Sequence, residues 1–289
     1  MKTKIILFFT ALALVMSCGF SALSKSTTPQ KKQNSDSLFT TDTMHTKALM
    51  LLKAIKVNGT QLYTDAIENY YVASQNSICK TSSQNSAKFV YSLKRSGTIT
   101  SIDAGDPMRV LVFYKDLSLI TFLDNFMAEE SSISLMDFGL DQAETACKAL
   151  NNGIWVYDIK QDKLVKISAT LNIDIEILNI QRIIGENFNP TQMIERNNGL
   201  YLNDPTKGIF VFDNYGAFLR KIPEPNISKF NVLDGILSFL RNNEIFFLNT
   251  ETLELSKIYS NSTMTDFSIS EKKLFILNAD SLHIYKLNP

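Results

Sequence analysis

Histidine and cysteine are scarce in this chain: two His (His45 and His283) and three Cys (Cys18, Cys79 and Cys147) among 289 residues. A His-centred catalytic triad, or zinc held by clustered His and Cys, therefore lacks its parts. An excess of charge is missing too. Lys plus Arg and Asp plus Glu each number 29, for a formal net charge of zero. Without a basic surplus there is no electrostatic drive toward nucleic acid or an anionic lipid surface. The 11 glycines are scattered; Gly97, Gly105 and Gly139 do not gather into a phosphate-cradling loop. What is present is apolar and aromatic material. At 45% hydrophobic and 10% aromatic residues, the chain is too greasy to stay disordered and long enough to bury a core, in one large domain or two small ones.

The amino terminus reads as an address. Lys2 and Lys4 precede the run IILFFTALALV at residues 5–15. Eleven residues at 1.5 Å each span about 16 Å, half a bilayer core, so the run is too short to cross a membrane and suits a signal-peptide h-region. Val15-Met16-Ser17-Cys18 follows and resembles the lipobox of bacterial lipoproteins. That resemblance implies cleavage before Cys18, diacylglyceryl attachment to its sulfur and acylation of the new amino group. An ordinary signal peptide cut nearby, for instance after Ala22, is the alternative. No acid occurs between Cys18 and Asp36. As lipoprotein sorting is generally understood, this leaves the periplasmic face of the outer membrane as the expected location.

Residues 18–47 are rich in Ser, Thr, Lys, Gln and Asn and hold only two aromatics, Phe20 and Phe39. Such a stretch cannot bury enough apolar surface to offset its ordering entropy and reads as a tether, with a root-mean-square span of about 30 Å. Within it Asp36-Ser37-Leu38 and Asp42-Thr43-Met44 resemble the O-glycosylation acceptor of Bacteroidetes, which implies glycans on Ser37 and Thr43; Asp280-Ser281-Leu282 repeats the pattern near the end. His45 is read as a solvated side chain. The organisation expected is a signal peptide at 1–17, the tether at 18–47 and one folded domain at 48–289.

That domain reads as all-β. Short runs such as VLVFY at 110–114, IWVYD at 154–158, IFVFD at 209–213 and LFILN at 274–278 are divided by Asn-Gly, Asp-Gly, Asn-Asn and Asp-Pro pairs. Those residues supply turn geometry at low steric cost. A 3.6-residue period runs, weakly, only through residues 46–56. The strands also recur. Taking Tyr70, Phe113, Val156, Val211, Phe247 and Ile284 as equivalent gives steps of 43, 43, 55, 36 and 37 residues. A period near 40 with three or four strands per unit is what a β-propeller blade needs, and six positions predict about six blades, within a range of five to seven. Trp155 is expected to fill a wedge between blades. A pair of β-sandwiches is the alternative, but it leaves the recurrence unexplained.

The unit Ile209-Phe210-Val211-Phe212-Asp213, followed by Gly216 and Phe218-Leu219-Arg220-Lys221-Ile222, resembles an NHL-type repeat. With Val-Phe-Tyr-Lys-Asp at 112–116, Phe-Leu-Asp-Asn at 122–125, Trp-Val-Tyr-Asp at 155–158 and Leu-Asn-Asp-Pro at 202–205, residues 110–222 resemble the uncharacterised propeller-like lipoproteins of Flavobacteria-type bacteria. The blade signature of quinoprotein propellers is absent from the sequence.

Candidates for chemistry are few. In an oxidising periplasm Cys79 and Cys147 could pair, closing a long loop for about 4 kcal/mol, or stand as separate thiols. Asp103, Asp106, Asp158, Asp204, Asp213 and Asp234 sit where Asx-turns use aspartate; in six-bladed lactonases inward carboxylates and amides hold Ca²⁺, and sequence does not separate the two uses. Glu129-Glu130 reads as a solvated loop and His283 as a rim residue. No catalytic residue, metal ligand or cofactor is assigned. The expected function is a lipid-anchored, non-enzymatic scaffold that binds an envelope protein and reaches the membrane through its lipid. The alternatives are a metal-dependent propeller hydrolase or lactonase and a glycan- or small-ligand-binding lipoprotein.

Overall fold

A computed structural model describes residues 49–92 and 97–287. The signal peptide, the tether, Cys18, Ser37, Thr43 and His45 lie outside the described residues. The described residues open with β1 (Met50–Lys56) and then lay down five four-stranded antiparallel sheets in strict sequence order. Blade one is β2 (Gln61–Thr64), β3 (Tyr70–Ala73), β4 (Ser77–Thr81) and β5 (Lys88–Ser92). Blade two is β6 (Ser101–Asp103), β7 (Val110–Tyr114), β8 (Leu119–Leu123) and β9 (Glu129–Ser134). Blade three is β10 (Ala143–Lys148), β11 (Ile154–Asp158), β12 (Lys163–Ile167) and β13 (Ile173–Leu178). After the helical turn α1 (Ile180–Ile184), blade four is β14 (Gln192–Arg196), β15 (Gly199–Asp204), β16 (Gly208–Asp213) and β17 (Phe218–Ile222). Blade five is β18 (Lys229–Leu233), β19 (Ile236–Arg241), β20 (Glu244–Asn249) and β21 (Leu255–Ser260). Blade six takes three strands from the end of the chain, β22 (Met264–Ile269), β23 (Lys273–Asn278) and β24 (Ser281–Lys286), and its fourth from the beginning, since β1 pairs antiparallel with β24 from Met50↔Lys286 to Lys56↔Ser281. The molecule is a six-bladed β-propeller.

The second strands begin at Tyr70, Val110, Ile154, Gly199, Ile236 and Lys273, at intervals of 40, 44, 45, 37 and 37 residues. The irregular 55-residue step in the sequence reading has a simple origin. Tyr70, Phe113 and Val156 are on second strands, whereas Val211, Phe247 and Ile284 are on third strands. Two other expectations are corrected. Residues 50–56 form a strand rather than a helix, because pairing with β24 outweighs a weak local period. Glu129 and Glu130 open the outermost strand of blade two, exposed but not in a loop.

Turn chemistry explains many hairpins. Asn197-Asn198, Asp234-Gly235 and Asn242-Asn243 all have positive φ at both residues, the two-residue turn that matches strand twist. Between blades, apolar side chains gather into six wedges. One holds Trp155, Leu164, Leu200, Phe210 and Phe212 between blades three and four, so Trp155, fully buried, is a wedge filler. Another joins Leu62, Tyr70 and Val72 to Phe275, Leu277 and Leu282 where the ring closes.

Because each sheet is antiparallel, the turns between first and second strands and between third and fourth strands share one face of the ring, here termed the tip face. Blade-to-blade connections lie on the other. Leu282 is fully buried in the closing wedge, so Leu282→Ala is expected to cost about 2–5 kcal/mol in urea denaturation, whereas Val90→Ala, at an exposed edge position, should stay within about 0.5 kcal/mol of the parent.

Candidate functional site

The first strand of each blade lines an axial cavity of about 290 Å³, walled by polar side chains that include Gln61, Tyr63, Gln192, Asn231, Thr265 and Ser268. Part of this polarity stitches neighbouring blades, while the Asn231 amide nitrogen is buried without a partner. Gln192 donates from Nε2 to the Phe230 carbonyl and accepts the Phe230 N–H, both at 2.9 Å. Thr64 and Ser268 hydroxyls meet at 2.8 Å across the closure. Lys229 donates to Asp266 Oδ2 at 2.8 Å and to the Leu62 carbonyl. Asp266 also accepts the N–H groups of Leu62 and Phe267 at 2.6 and 2.7 Å, and the Lys229 ammonium stands 4.2 Å from the Tyr63 ring centre. One ion pair thus clips blades five, six and one together. Burial pushes the Asp266 carboxyl up and the Lys229 ammonium down, and their mutual attraction opposes both shifts.

At the tip-face end of the cavity, Asp103 performs the same service for blades two, three and four. It accepts from Arg196 at 3.3 Å, from the Lys148 N–H at 3.1 Å and from the Gly105 N–H at 3.1 Å. A β-carbon on Gly105 would fall 2.0 Å from Arg196 Nη2, so this glycine is what lets the guanidinium lie across the mouth. The Asp103 charge raises the Arg196 pKa against the opposing effect of burial. Nearby, Glu195 is buried and accepts the Trp155 indole N–H at 3.1 Å and the Leu150 N–H.

The aspartates singled out from sequence largely serve turns. Asp106, Asp158, Asp204 and Asp213 each accept a backbone N–H two or three residues ahead, at 2.8–2.9 Å, and Asp234 occupies a positive-φ turn position. Among the described residues no three His, Cys, Asp or Glu side chains converge on a point where a metal could bind. His283 lies in β24, half-buried, 3.5 Å from the Tyr285 hydroxyl. The disulfide considered between Cys79 and Cys147 is not formed. Both are free thiols, Cys79 in β4 of blade one and Cys147 in β10 of blade three, with blade two between them. Burial pushes the Cys147 thiol well up, reinforced by Asp103 and Glu195, which suppresses the nucleophilic thiolate.

Lys166, Gln192, Glu195, Arg196, Lys229 and Asp266 were not singled out by sequence reasoning. A faint signal exists for Glu195: it shares the strand phase of buried Met193, where a carboxylate must find partners. Asp266 carries the same signal, two residues after buried Met264, whereas Lys229 opens β18 in the phase opposite to buried Phe230 and carries none.

No protein-family profile matches the chain, and no curated protein matches it. Solved structures do. The chain is similar to virginiamycin B lyase from Staphylococcus aureus at 12% identity and a TM-score of 0.59, covering 83% of this chain and 100% of that one. It is similar to a streptogramin B lyase at 14% identity and a TM-score of 0.56, covering 84% and 87%. The WD40 domain of Pan2 from Neurospora crassa matches at 6% identity and a TM-score of 0.57, covering 81% and 80%. At such identities the likeness is one of fold.

Two outcomes are expected. Lys229→Met leaves the Asp266 charge buried and should cost about 3–5 kcal/mol at pH 7, part of it recovered in Lys229→Met/Asp266→Asn, which removes the charge but keeps an acceptor oxygen for the backbone N–H groups. A carboxyl raised above its ordinary 3.8 takes up a proton on folding, so its contribution is full below 3.8 and is lost as pH rises through the folded value. The Lys229→Met deficit should therefore shrink as urea denaturation is repeated from pH 7 down toward 4. Thiol titration in denaturant should count both Cys79 and Cys147, while the folded protein protects Cys147; a protein with neither thiol reactive when unfolded would contradict the free cysteines.

Proposed function

We propose that this propeller is a lipid-anchored, non-enzymatic interaction scaffold, held by Cys18 at the periplasmic side of a bacterial outer membrane, as in the Flavobacteria-type lipoproteins its sequence resembles. The observation that carries the reading is the tip face. Each blade places at least one exposed apolar side chain there: Ile67, Met108, Phe126, Leu150, Leu171, Tyr215 and Leu253 from blades one to five, and Met50 from the strand that completes blade six, with exposures of 44–74%. The opposite face is sparser, with Met136 and Ile183 its exposed large apolar residues outside the strands. A ring of separated apolar anchors on a rigid support suits a protein partner, where a few buried anchors supply most of the binding energy. The described chain enters on this same face at Met50, and a tether of about 30 Å leaves room for a partner between propeller and membrane.

Site-specific photo-crosslinkers test this in intact cells. Probes at Phe126 and Leu253 are expected to yield one discrete adduct, lost in a Met108→Ser/Tyr215→Ser variant, while probes at Met136 and Ile183 yield none. Adducts from the opposite face alone would sink the scaffold reading. Metabolic labelling with an alkynyl fatty acid should mark the parent and not Cys18→Ala, and glycans on Ser37 and Thr43 should appear as mass additions removed by alanine.

A further inference from the structure

Between blades three and four the tip face opens a cleft of about 420 Å³, lined by Asn151, Lys166, Asp174, Asn214 and Tyr215, among others. Cross-strand pairing places Cys147, Trp155, Lys166 and Ile175 in one row running outward across blade three. Lys166 thus projects from a buried row: its side chain is 13% exposed, and its ammonium lies 5.2 Å from the centre of the Trp155 indole. The carboxylate beside it is Glu195, whose Oε1 is 3.9 Å away, beyond hydrogen-bond reach. Both oxygens of Glu195 are engaged elsewhere, by Trp155 Nε1 and by the Leu150 N–H.

Other enclosed lysines of this protein behave differently. Lys80 donates to the Asn125 carbonyl at 2.9 Å, Lys148 to Asp106 and the Arg109 carbonyl at 2.9 Å, Lys163 to Glu176 at 3.1 Å and Lys229 to Asp266 at 2.8 Å. Lys166 stands apart. Among the described residues its three N–H donors have no acceptor, although Glu195 balances part of its charge. An ammonium held at a cleft with its donors open is matched by a carboxylate, which forms short, charge-assisted hydrogen bonds.

We infer that this cleft binds a peptide carboxylate lying next to an apolar side chain. The carboxylate meets Lys166, and the apolar side chain packs at the mouth between Leu150 and Tyr215, which are 44% and 74% exposed. The Asn151 and Asn214 amides flank the peptide backbone, and Asp174, on the exposed side, accepts from its N–H groups. Tyr215 is set at the rim by the turn at Gly216, whose φ is +82° and where a β-carbon would fall 2.0 Å from Ile177. The inference deepens the scaffold reading, since the peptide is a segment of the protein partner.

Trp155 is the only tryptophan of the chain and lies buried behind the cleft, 5.2 Å from the Lys166 ammonium, so its emission reports a change in charge at that ammonium. The purified protein is titrated with acetyl-Leu-Glu-amide (a side-chain carboxylate), acetyl-Ala-Leu with a free terminal carboxylate, and acetyl-Leu-Gln-amide, followed by tryptophan fluorescence and by ligand-observed NMR. At least one acid should bind saturably, and which one identifies the source of the carboxylate. The glutamine peptide should bind at least tenfold more weakly. Lys166→Met should weaken the acid at least tenfold, Lys166→Arg should retain it, and Tyr215→Ser at the mouth, away from the buried row, provides a second variant if Lys166→Met fails to fold. Absence of saturable binding by both acids, or equal binding by the glutamine peptide, overturns the inference. Tip-face crosslinks persisting without peptide binding would remove this cleft alone, whereas peptide binding without crosslinks would leave the cleft standing and remove the scaffold.

Discussion

The structure depends on closing the ring. Every blade has two apolar faces, and a blade left at an open end would expose one of them to water together with a row of unpaired strand-edge groups. Closure is made by the first strand lying on the last: β1 hydrogen-bonds along β24, Val57 donates to the Asp280 carbonyl at 3.0 Å, and the wedge around Leu62, Phe275 and Leu282 seals behind them. Near the axis the same junction is clipped by Lys229, Asp266 and the backbone of Leu62. Residues more than 200 positions apart thereby complete one sheet, and the other five blades can keep strict sequence order because this one does not.

Closure also determines what is left for function. The spaces between blades are apolar wedges, and much of the polarity along the axis is engaged, Gln192 with the Phe230 main chain, Asp103 with Arg196 and Lys229 with Asp266, although the Asn231 amide nitrogen is buried without a partner. The surface with unmet demand is the tip face, where the short turns that reverse the strands carry exposed apolar residues and where Lys166 holds an ammonium without an acceptor among the described residues. Rigid turns on a closed ring offer such groups at fixed separations, so under the proposed scaffold reading little order has to be imposed on binding.

Strand content, turn positions and a period near 40 could be read along the chain because alternation and positive-φ residues are local properties. Asn197-Asn198 and Asp234-Gly235 mark hairpins wherever they occur. Trp155 could be assigned to a wedge for a similar reason, as a large aromatic inside an apolar strand. Register between repeats was less legible: second and third strands of a blade are alike in composition, so Val211 and Val156 look equivalent although they lie on different strands of their blades.

By itself, then, the sequence determined an all-β domain of about six repeating sheets, since these rest on composition and short-range patterning. Tertiary structure alone decided that residues 50–56 become the outermost strand of the last blade, that Cys79 and Cys147 stand apart, and that Lys229 finds Asp266 while Lys166 finds no carboxylate within hydrogen-bond reach. Each of those outcomes depends on which remote strands become neighbours, and that is settled by ring geometry rather than by any property of the residues and their immediate neighbours in the chain.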